Sequence, residues 1–164
     1  MELPKRKANR LENYDYSRNG AYFITLCVRN RKPILSRIIV GASIARPSIT
    51  EMSSIGRIVD NAIQAIPDCY SGVIIDKYVI MPNHIHMIIR IDDDCGRAML
   101  APTNLSRIIQ QMKGYVTKQI GKSVWQKSYY DHIIRDDHDF QVKWEYIDEN
   151  PLRWRDDEFY TEVE

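Results

Sequence analysis

The chain has 164 residues, of which 44% are hydrophobic and 27% are charged, values typical of a single soluble globular domain spanning residues 1–164. Its three cysteines are odd in number and far apart, which argues against a disulfide framework and a thiolate zinc site and predicts a cytoplasmic protein. No apolar run approaches the length of a membrane span, so we expect no membrane partner.

The net charge of +1 hides an uneven distribution of charge along the chain. Residues 1–46 carry ten Lys/Arg and three Asp/Glu, whereas residues 136–164 carry three and eleven, which includes an acidic tail over about 156–164. A basic front half is typical of a protein with a polyanion-binding face. The alternative is a solvated surface with chance asymmetry, and charge alone does not separate the two interpretations.

The first half of the chain predicts a strand followed by a helix. β-Branched and aromatic residues over 21–30 indicate the strand, and a polar connection with Pro and Gly occupies 31–48. An apolar stripe at helical spacing then predicts a helix with Thr50 as its N-cap and Ile66 near its end, where Pro67 follows.

The second half predicts a hairpin, two helices and a further strand. Residues 72–80 and 84–91 read as two strands joined by a tight turn. A helix begins near Asn104, residues 127–135 form the fourth main strand, and a last helix covers 139–150. The order βαββαβ plus a C-terminal helix predicts an α+β, ferredoxin-like fold, with an antiparallel sheet covered by helices on one face.

The stretch VIMPNHIHMII places two imidazoles two residues apart in a strand. His84 and His86 therefore point to the same face, which we expect to be open and opposite the helices. Neutral imidazoles so placed can hold one divalent ion. The alternative is a pair of polar residues on a solvated face.

The last helix offers further groups for such a site. Tyr146 and Asn150 are four residues apart and share a helix face. Two imidazoles and one amide oxygen form a mixed ligand set that suits Mg²⁺ or Mn²⁺ holding a phosphate oxygen, with a phenol as the nucleophile. Tyr115 lies on a basic amphipathic helix and competes with Tyr146, and spacing alone does not choose between them.

Four segments, GAYFITLCVRNRKPIL, VIMPNHIHMII, WQKSYYDHIIRDDHDF and WEYIDENPLRW, resemble the HUH-class single-tyrosine transposases, most closely the REP-associated tyrosine transposases. The resemblance covers roughly residues 5–155. It implies that His84 and His86 are metal ligands, that Tyr146 is the nucleophile, and that Asn150 is the third ligand.

The resemblance also implies the reaction and its partners. The expected activity cleaves and rejoins single-stranded or hairpin DNA through a 5′-phosphotyrosine, with Mg²⁺ or Mn²⁺, in a monomer or homodimer. Trp125, Tyr129 or Tyr130 would stack on unpaired bases, and we expect a structural hydrogen bond from His132. The candidates for binding phosphates are Arg18, Arg29, Arg31, Lys32, Arg107, Lys113 and Lys118.

Two other functions fit the same sequence features. A ferredoxin-like sheet can bind single-stranded nucleic acid without a metal, as a non-catalytic module. A phosphodiesterase or replication initiator could use the same histidine pair with water as the nucleophile. It would leave no covalent product, and an initiator would need further domains.

Overall fold

The computed structural model describes residues 14–39, 49–92 and 104–161. Within these ranges the chain forms strands β1 to β6 and helices α1 to α4, with short 3₁₀ turns at Arg29–Arg31 and Trp154–Asp156. In chain order they are β1 Gly20–Cys27, β2 Ser36–Ile39, β3 Ile49–Met52, α1 Ser54–Gln64, α2 Ile66–Cys69, β4 Val73–Ile80, β5 His84–Ile91, α3 Leu105–Ile120, β6 Tyr130–Ile134 and α4 Asp137–Glu149.

The main sheet has the strand order β4-β5-β1-β6, and every pair in it is antiparallel. This confirms the ferredoxin-like prediction, with β1 and β5 at the centre. β2 and β3 form a separate two-stranded sheet inside the first βα connection. The register pairs Cys27 with His84 and Thr25 with His86, so the histidines lie beside the end of β1.

Strand β5 is buried on both faces because its side chains alternate between two cores. Ile85 and Met87 belong to the large core, which also holds the buried residues of α1 and α3. His84 and His86 point to the opposite face, where α4 and the segment after it cover the sheet. The expectation that this face is open is therefore wrong.

Helix α4 is attached to the sheet by a smaller apolar cluster. Ile147 packs with Phe23 and Ile88, and Trp144 lies against the same cluster. Asp136 caps the helix by accepting a hydrogen bond from the amide of Asp139 at 2.8 Å. The helix therefore begins two residues earlier than predicted.

The segment after α4 folds back over the sheet. Trp154 and Phe159 are buried in a cluster with Cys27 and Met81. Asn83 Nδ2 donates hydrogen bonds to the carbonyl oxygen of Phe159 at 2.7 Å and to that of Arg31 at 3.1 Å. The residues predicted as an acidic tail are thus packed against the domain as far as residue 161, the last one described.

Two local predictions at the ends of helices need correction. Thr50 lies in β3, and Ser53 is the N-cap of α1, where its Oγ accepts a hydrogen bond from the amide of Gly56 at 3.0 Å. Pro67 does not end a helix but lies in the first turn of α2, where its missing N–H leaves no bond unmade.

The signals around α3 and β6 are confirmed. Asn104 caps α3, and Gly121 ends it with a positive φ of 80°. The expected structural role of His132 on β6 is confirmed as well, because its Nε2 lies 2.7 Å from the Asp139 carboxylate at the start of α4. Of the helices in the described ranges, none is long and apolar enough to cross a membrane.

Candidate metal centre and active site

The two histidines form a buried pair between the sheet and α4. His84 is 0% exposed and His86 is 2% exposed, and their ring centroids lie 4.5 Å apart. Phe159 covers them from the C-terminal segment, with its ring centroid 4.7 Å from that of His84. A buried imidazole pair of this kind requires partners for its nitrogen atoms.

Hydrogen bonds fix the orientation of both rings through their Nδ1 atoms. His84 Nδ1 lies 2.8 Å from Asn83 Oδ1, and Asn83 Nδ2 already donates to backbone carbonyls, so His84 Nδ1 must carry the proton. His86 Nδ1 lies 2.8 Å from the Thr25 hydroxyl. The Nε2 atoms of both rings are buried without a hydrogen-bond partner among the described residues. This is the usual arrangement of metal-binding histidines.

Asn150, at the C-terminal end of α4, brings an oxygen atom to the same region. Its side chain is buried, and its Nδ2 donates a hydrogen bond to Asp157 Oδ2 at 3.0 Å. Its Oδ1 is buried and has no partner in the described part of the chain. Three buried atoms with free lone pairs therefore face this site, from His84, His86 and Asn150.

Asp157 is a further candidate ligand that was missed in the sequence. Ligand atoms of His84, His86 and Asp157 all lie within 4.8 Å of one another. Asp157 follows the last helix in a stretch of acidic residues, and neither spacing nor periodicity distinguishes it from Asp156 or Glu158. Only the folding of this segment back over the sheet brings it to the histidines.

The donor set fits a divalent cation. Two imidazole nitrogens, an amide oxygen and a carboxylate combine the ligand types that Mn²⁺ accepts with the oxygen ligands that Mg²⁺ prefers. A cation would also satisfy the three buried atoms that lack partners. The residues present therefore fit the predicted metal.

Burial keeps both histidines neutral, the form that binds metals. It lowers the pKa of His84 to about 4, although the Asp157 carboxylate and the Asn150 side chain act in the opposite direction. Burial also lowers the pKa of His86, and the neighbouring His84 and Lys143 lower it further. Neither ring needs to lose a proton to bind a cation at neutral pH.

Tyr146 lies at the edge of this site. Its ring centroid is 5.1 Å from that of His86, and its side chain is 40% exposed. Burial, Asp157 and Glu158 raise the pKa of the phenol, while Asn150 lowers it. Tyr115 is exposed on α3, which packs on the other face of the sheet. Of the two competing tyrosines, only Tyr146 lies beside the histidines.

An open cavity of about 420 Å³ leads to this site from the surface. Its wall includes the side chains of Tyr146 and Asn150 and has more acidic groups than basic ones. The charged residues in the wall are Glu149, Arg153, Asp156, Asp157 and Glu158. A phosphate group would be repelled here unless a cation offsets the carboxylates.

The predicted DNA-binding cations differ in their surroundings. Arg18, Arg29, Arg31, Lys32, Arg107 and Lys118 are exposed. Arg31 also donates a hydrogen bond from Nη1 to the carbonyl oxygen of Glu158 at 2.8 Å, and its guanidinium lies over the Phe159 ring. Lys113 is half-buried and donates to the carbonyl oxygens of Gln126 and Ser128, both at 3.0 Å.

Two of the three aromatic side chains that we expected to stack on bases cannot do so in this structure. Trp125 and Tyr129 are buried in the large core. Tyr130 is half-exposed on the edge strand β6 and is still available. The prediction for Trp125 and Tyr129 is wrong because both side chains pack under α3.

Comparisons with known proteins give a relative and a fold. No protein-family model matches the chain. An uncharacterized protein of Haemophilus influenzae (strain Rd) is 33% identical over 176 residues, which cover 96% of this chain and 94% of that protein. The chain belongs to the same family as this Haemophilus protein. The likeness runs through the whole domain, including the active-site segments.

A solved structure has the same fold. It is that of a REP-associated tyrosine transposase bound to a REP hairpin, and it matches with a TM-score of 0.64 at 22% identity. The match covers 88% of this chain and 73% of that one. The resemblance seen in the sequence is thus confirmed at the level of the fold, which is that of a REP-associated tyrosine transposase.

Proposed function

We propose that this chain is a metal-dependent transposase and endonuclease for single-stranded DNA. It cleaves and rejoins DNA at hairpin-forming repeats through a 5′-phosphotyrosine on Tyr146. One observation carries the proposal: the free ligand atoms of His84, His86 and Asn150 are buried together beside that phenol. The solved transposase with the same fold, which is bound to a REP hairpin, supports the choice of DNA.

His84, His86 and Asn150 would hold a Mg²⁺ or Mn²⁺ ion, with Asp157 close by. When bound, this ion supplies positive charge that polarises the phosphodiester and favours the phenolate. Asn83 and Thr25 orient the two rings so that their Nε2 atoms remain available.

Tyr146 would carry out the chemical step. Its Oη attacks the phosphorus atom, the bond between phosphorus and the 3′ oxygen breaks, and the phenol proton is released as the 3′ oxygen gains one. The products are a 5′-phosphotyrosyl link and a free 3′-hydroxyl. Another 3′-hydroxyl can attack the link and reverse the exchange, so no nucleotide triphosphate is consumed.

The position of Tyr146 suits this role. Its partly exposed ring forms part of the cavity wall, where a strand can approach from solvent. The raised pKa of the phenol keeps it protonated and unreactive without added positive charge. Nucleophilic activity would therefore depend on the cation.

A covalent adduct between protein and DNA tests the proposal. Purified protein is incubated with Mg²⁺ or Mn²⁺ and end-labelled hairpin oligonucleotides from repeats beside its own gene, and products are separated on denaturing gels. We expect an adduct that is lost with EDTA and in Tyr146→Phe but kept in Tyr115→Phe, the matched control.

The other outcomes identify the alternative functions. Cleavage without an adduct would indicate water as the nucleophile and a phosphodiesterase. Binding without cleavage, with both metals and several repeats, would indicate a non-catalytic module. Loss of the adduct in Tyr115→Phe alone would show that the nucleophile is wrongly placed.

A further inference from the structure

A second cavity, of about 370 Å³, lies where the end of β1 meets α3 and the segment before β6. Its wall includes Arg29, Lys113, Thr117, Ser123, Trp125 and Lys127. No carboxylate lines it, whereas four line the cavity at Tyr146. The two cavities therefore have opposite charge.

Main-chain hydrogen bonds hold the walls of this basic cavity in place. Residues 124–126 run antiparallel to the end of β1: the amide of Arg29 donates to Val124 at 2.8 Å, and the amide of Gln126 donates to Cys27 at 2.9 Å. Lys113 binds the same segment through the carbonyl oxygens of Gln126 and Ser128. The cavity is thus formed by fixed elements of the fold.

The wall presents more hydrogen-bond donors and positive charge than its own acceptors satisfy. Arg29 and Lys127 are exposed, and neither has a carboxylate within ion-pair distance among the residues described. The indole N–H of Trp125 is buried and has no acceptor in the same ranges. The ammonium group of Lys113 has a third N–H beyond the two used on carbonyls. This combination favours an oxyanion with several acceptor oxygens.

The basic cavity is close to the histidines along β1. Cys27 is the strand partner of His84, and Arg29 follows it by two residues. From standard backbone spacings, the Cα atoms of Arg29 and His84 are at most about 13 Å apart. Arg31, which contacts Phe159 and Glu158, lies on the same short stretch of chain.

We propose that this basic cavity is a second phosphate-binding site, which holds a backbone phosphate of the DNA strand while another phosphodiester lies at Tyr146. The proposal rests on the function proposed above. The acidic wall at Tyr146 repels a DNA backbone, so the attraction that brings the strand to the site must come from another surface. The basic cavity provides it at the end of the same strand.

Arg29→Gln/Lys127→Gln tests the site without disturbing the bonds of Lys113. Arg37→Gln/Arg57→Gln is the matched control, because it removes two exposed cations from β2 and α1, outside the cavity. Both pairs are made in the Tyr146→Phe background, and affinity for a hairpin oligonucleotide with single-stranded flanks is measured by anisotropy across a range of salt concentrations.

We expect the cavity variant to bind about tenfold more weakly at low salt and to lower the slope of log K against log salt by about 1.4, or about 0.7 for each lost phosphate contact. The control should keep the original slope. An equal slope in the two variants would overturn the proposal.

A scan with single methylphosphonate linkages then locates the phosphate. One neutral linkage should weaken binding to the control variant and have no further effect on the cavity variant. Equal effects on both variants at every linkage would contradict the proposal, as would a cavity that binds inorganic phosphate without any effect on DNA affinity.

Adduct formation with Tyr146 intact separates this proposal from the proposed function. A changed salt slope without any adduct would support the phosphate site and contradict the catalytic role. An adduct with an unchanged salt slope would support catalysis and contradict the phosphate site.

Discussion

Asn150 Nδ2 donates a hydrogen bond to Asp157 Oδ2 at 3.0 Å, which leaves Asn150 Oδ1 as the atom available to a cation. The second oxygen of Asp157 accepts a hydrogen bond from the amide of Phe159 at 2.7 Å. These bonds join the end of α4 to the segment that covers the histidines. Asp157 therefore both orients Asn150 and places a negative charge near His84 and His86.

Asp157→Ala should weaken Mn²⁺ binding, because it removes a carboxylate near the ligand atoms and frees the Asn150 amide to rotate. We expect a loss of about 10- to 100-fold in affinity, as for other residues that orient metal ligands. Isothermal titration of the DNA-free protein measures it. Asp156→Ala is the control, since it removes the same charge from the wall of the same cavity. Equal affinities in the two variants would contradict the role of Asp157.

Thr25→Val tests the orientation of His86. The change keeps the shape of the side chain but removes the hydroxyl that lies 2.8 Å from His86 Nδ1, leaving a buried polar atom unpaired. We expect the free energy of unfolding to fall by about 1–3 kcal/mol and Mn²⁺ affinity to fall by about tenfold. Urea denaturation and metal titration check the two effects.

Thr50→Val, in the separate β2–β3 sheet, is the control for Thr25→Val. It should leave metal affinity unchanged. If Thr25→Val bound Mn²⁺ as tightly as the control, the hydroxyl would have no part in preparing His86 for a metal.

The metal-free protein should lose stability as the pH falls from about 6.5 to about 4. His84 has its pKa lowered from 6.5 to about 4 by burial, so in this range the unfolded chain binds a proton that the folded chain does not. Stability is therefore highest above pH 6.5 and falls as the pH approaches 4. Urea denaturation in EDTA at several pH values measures this dependence.

His84→Gln should reduce the pH dependence in this range, because it removes the titrating group. His138→Gln, at an exposed histidine in the first turn of α4, should leave it unchanged. If His84→Gln kept the full dependence, the burial of a neutral His84 would not be its cause.

Local signals in the sequence were sufficient to predict much of the fold. The N-cap at Asn104 and the C-cap at Gly121 act within one helical turn, so both ends of α3 could be read directly. The alternation along β5 placed His84 and His86 on one face. The spacing of Tyr146 and Asn150 placed both on the side of α4 that meets that face.

The failed predictions depended on contacts between distant segments. Thr50 and Ser53 are equally good caps locally, and the pairing of Thr50 with Ile38 in the β2–β3 sheet decided between them. The histidines are buried because residues 154–159 return to the sheet, which no periodicity indicates. The same return explains why Asp157 was missed.

The central claim, that Tyr146 becomes covalently bound to DNA, can be tested by mass spectrometry of the trapped adduct. Digestion with trypsin and nuclease should yield peptide 144–153, in which Tyr146 is the only tyrosine, carrying the mass of a 5′-phosphonucleotide. We predict that modification on this peptide alone. The nucleotide on peptide 114–118, which contains Tyr115, or on any other tyrosine, would contradict the claim.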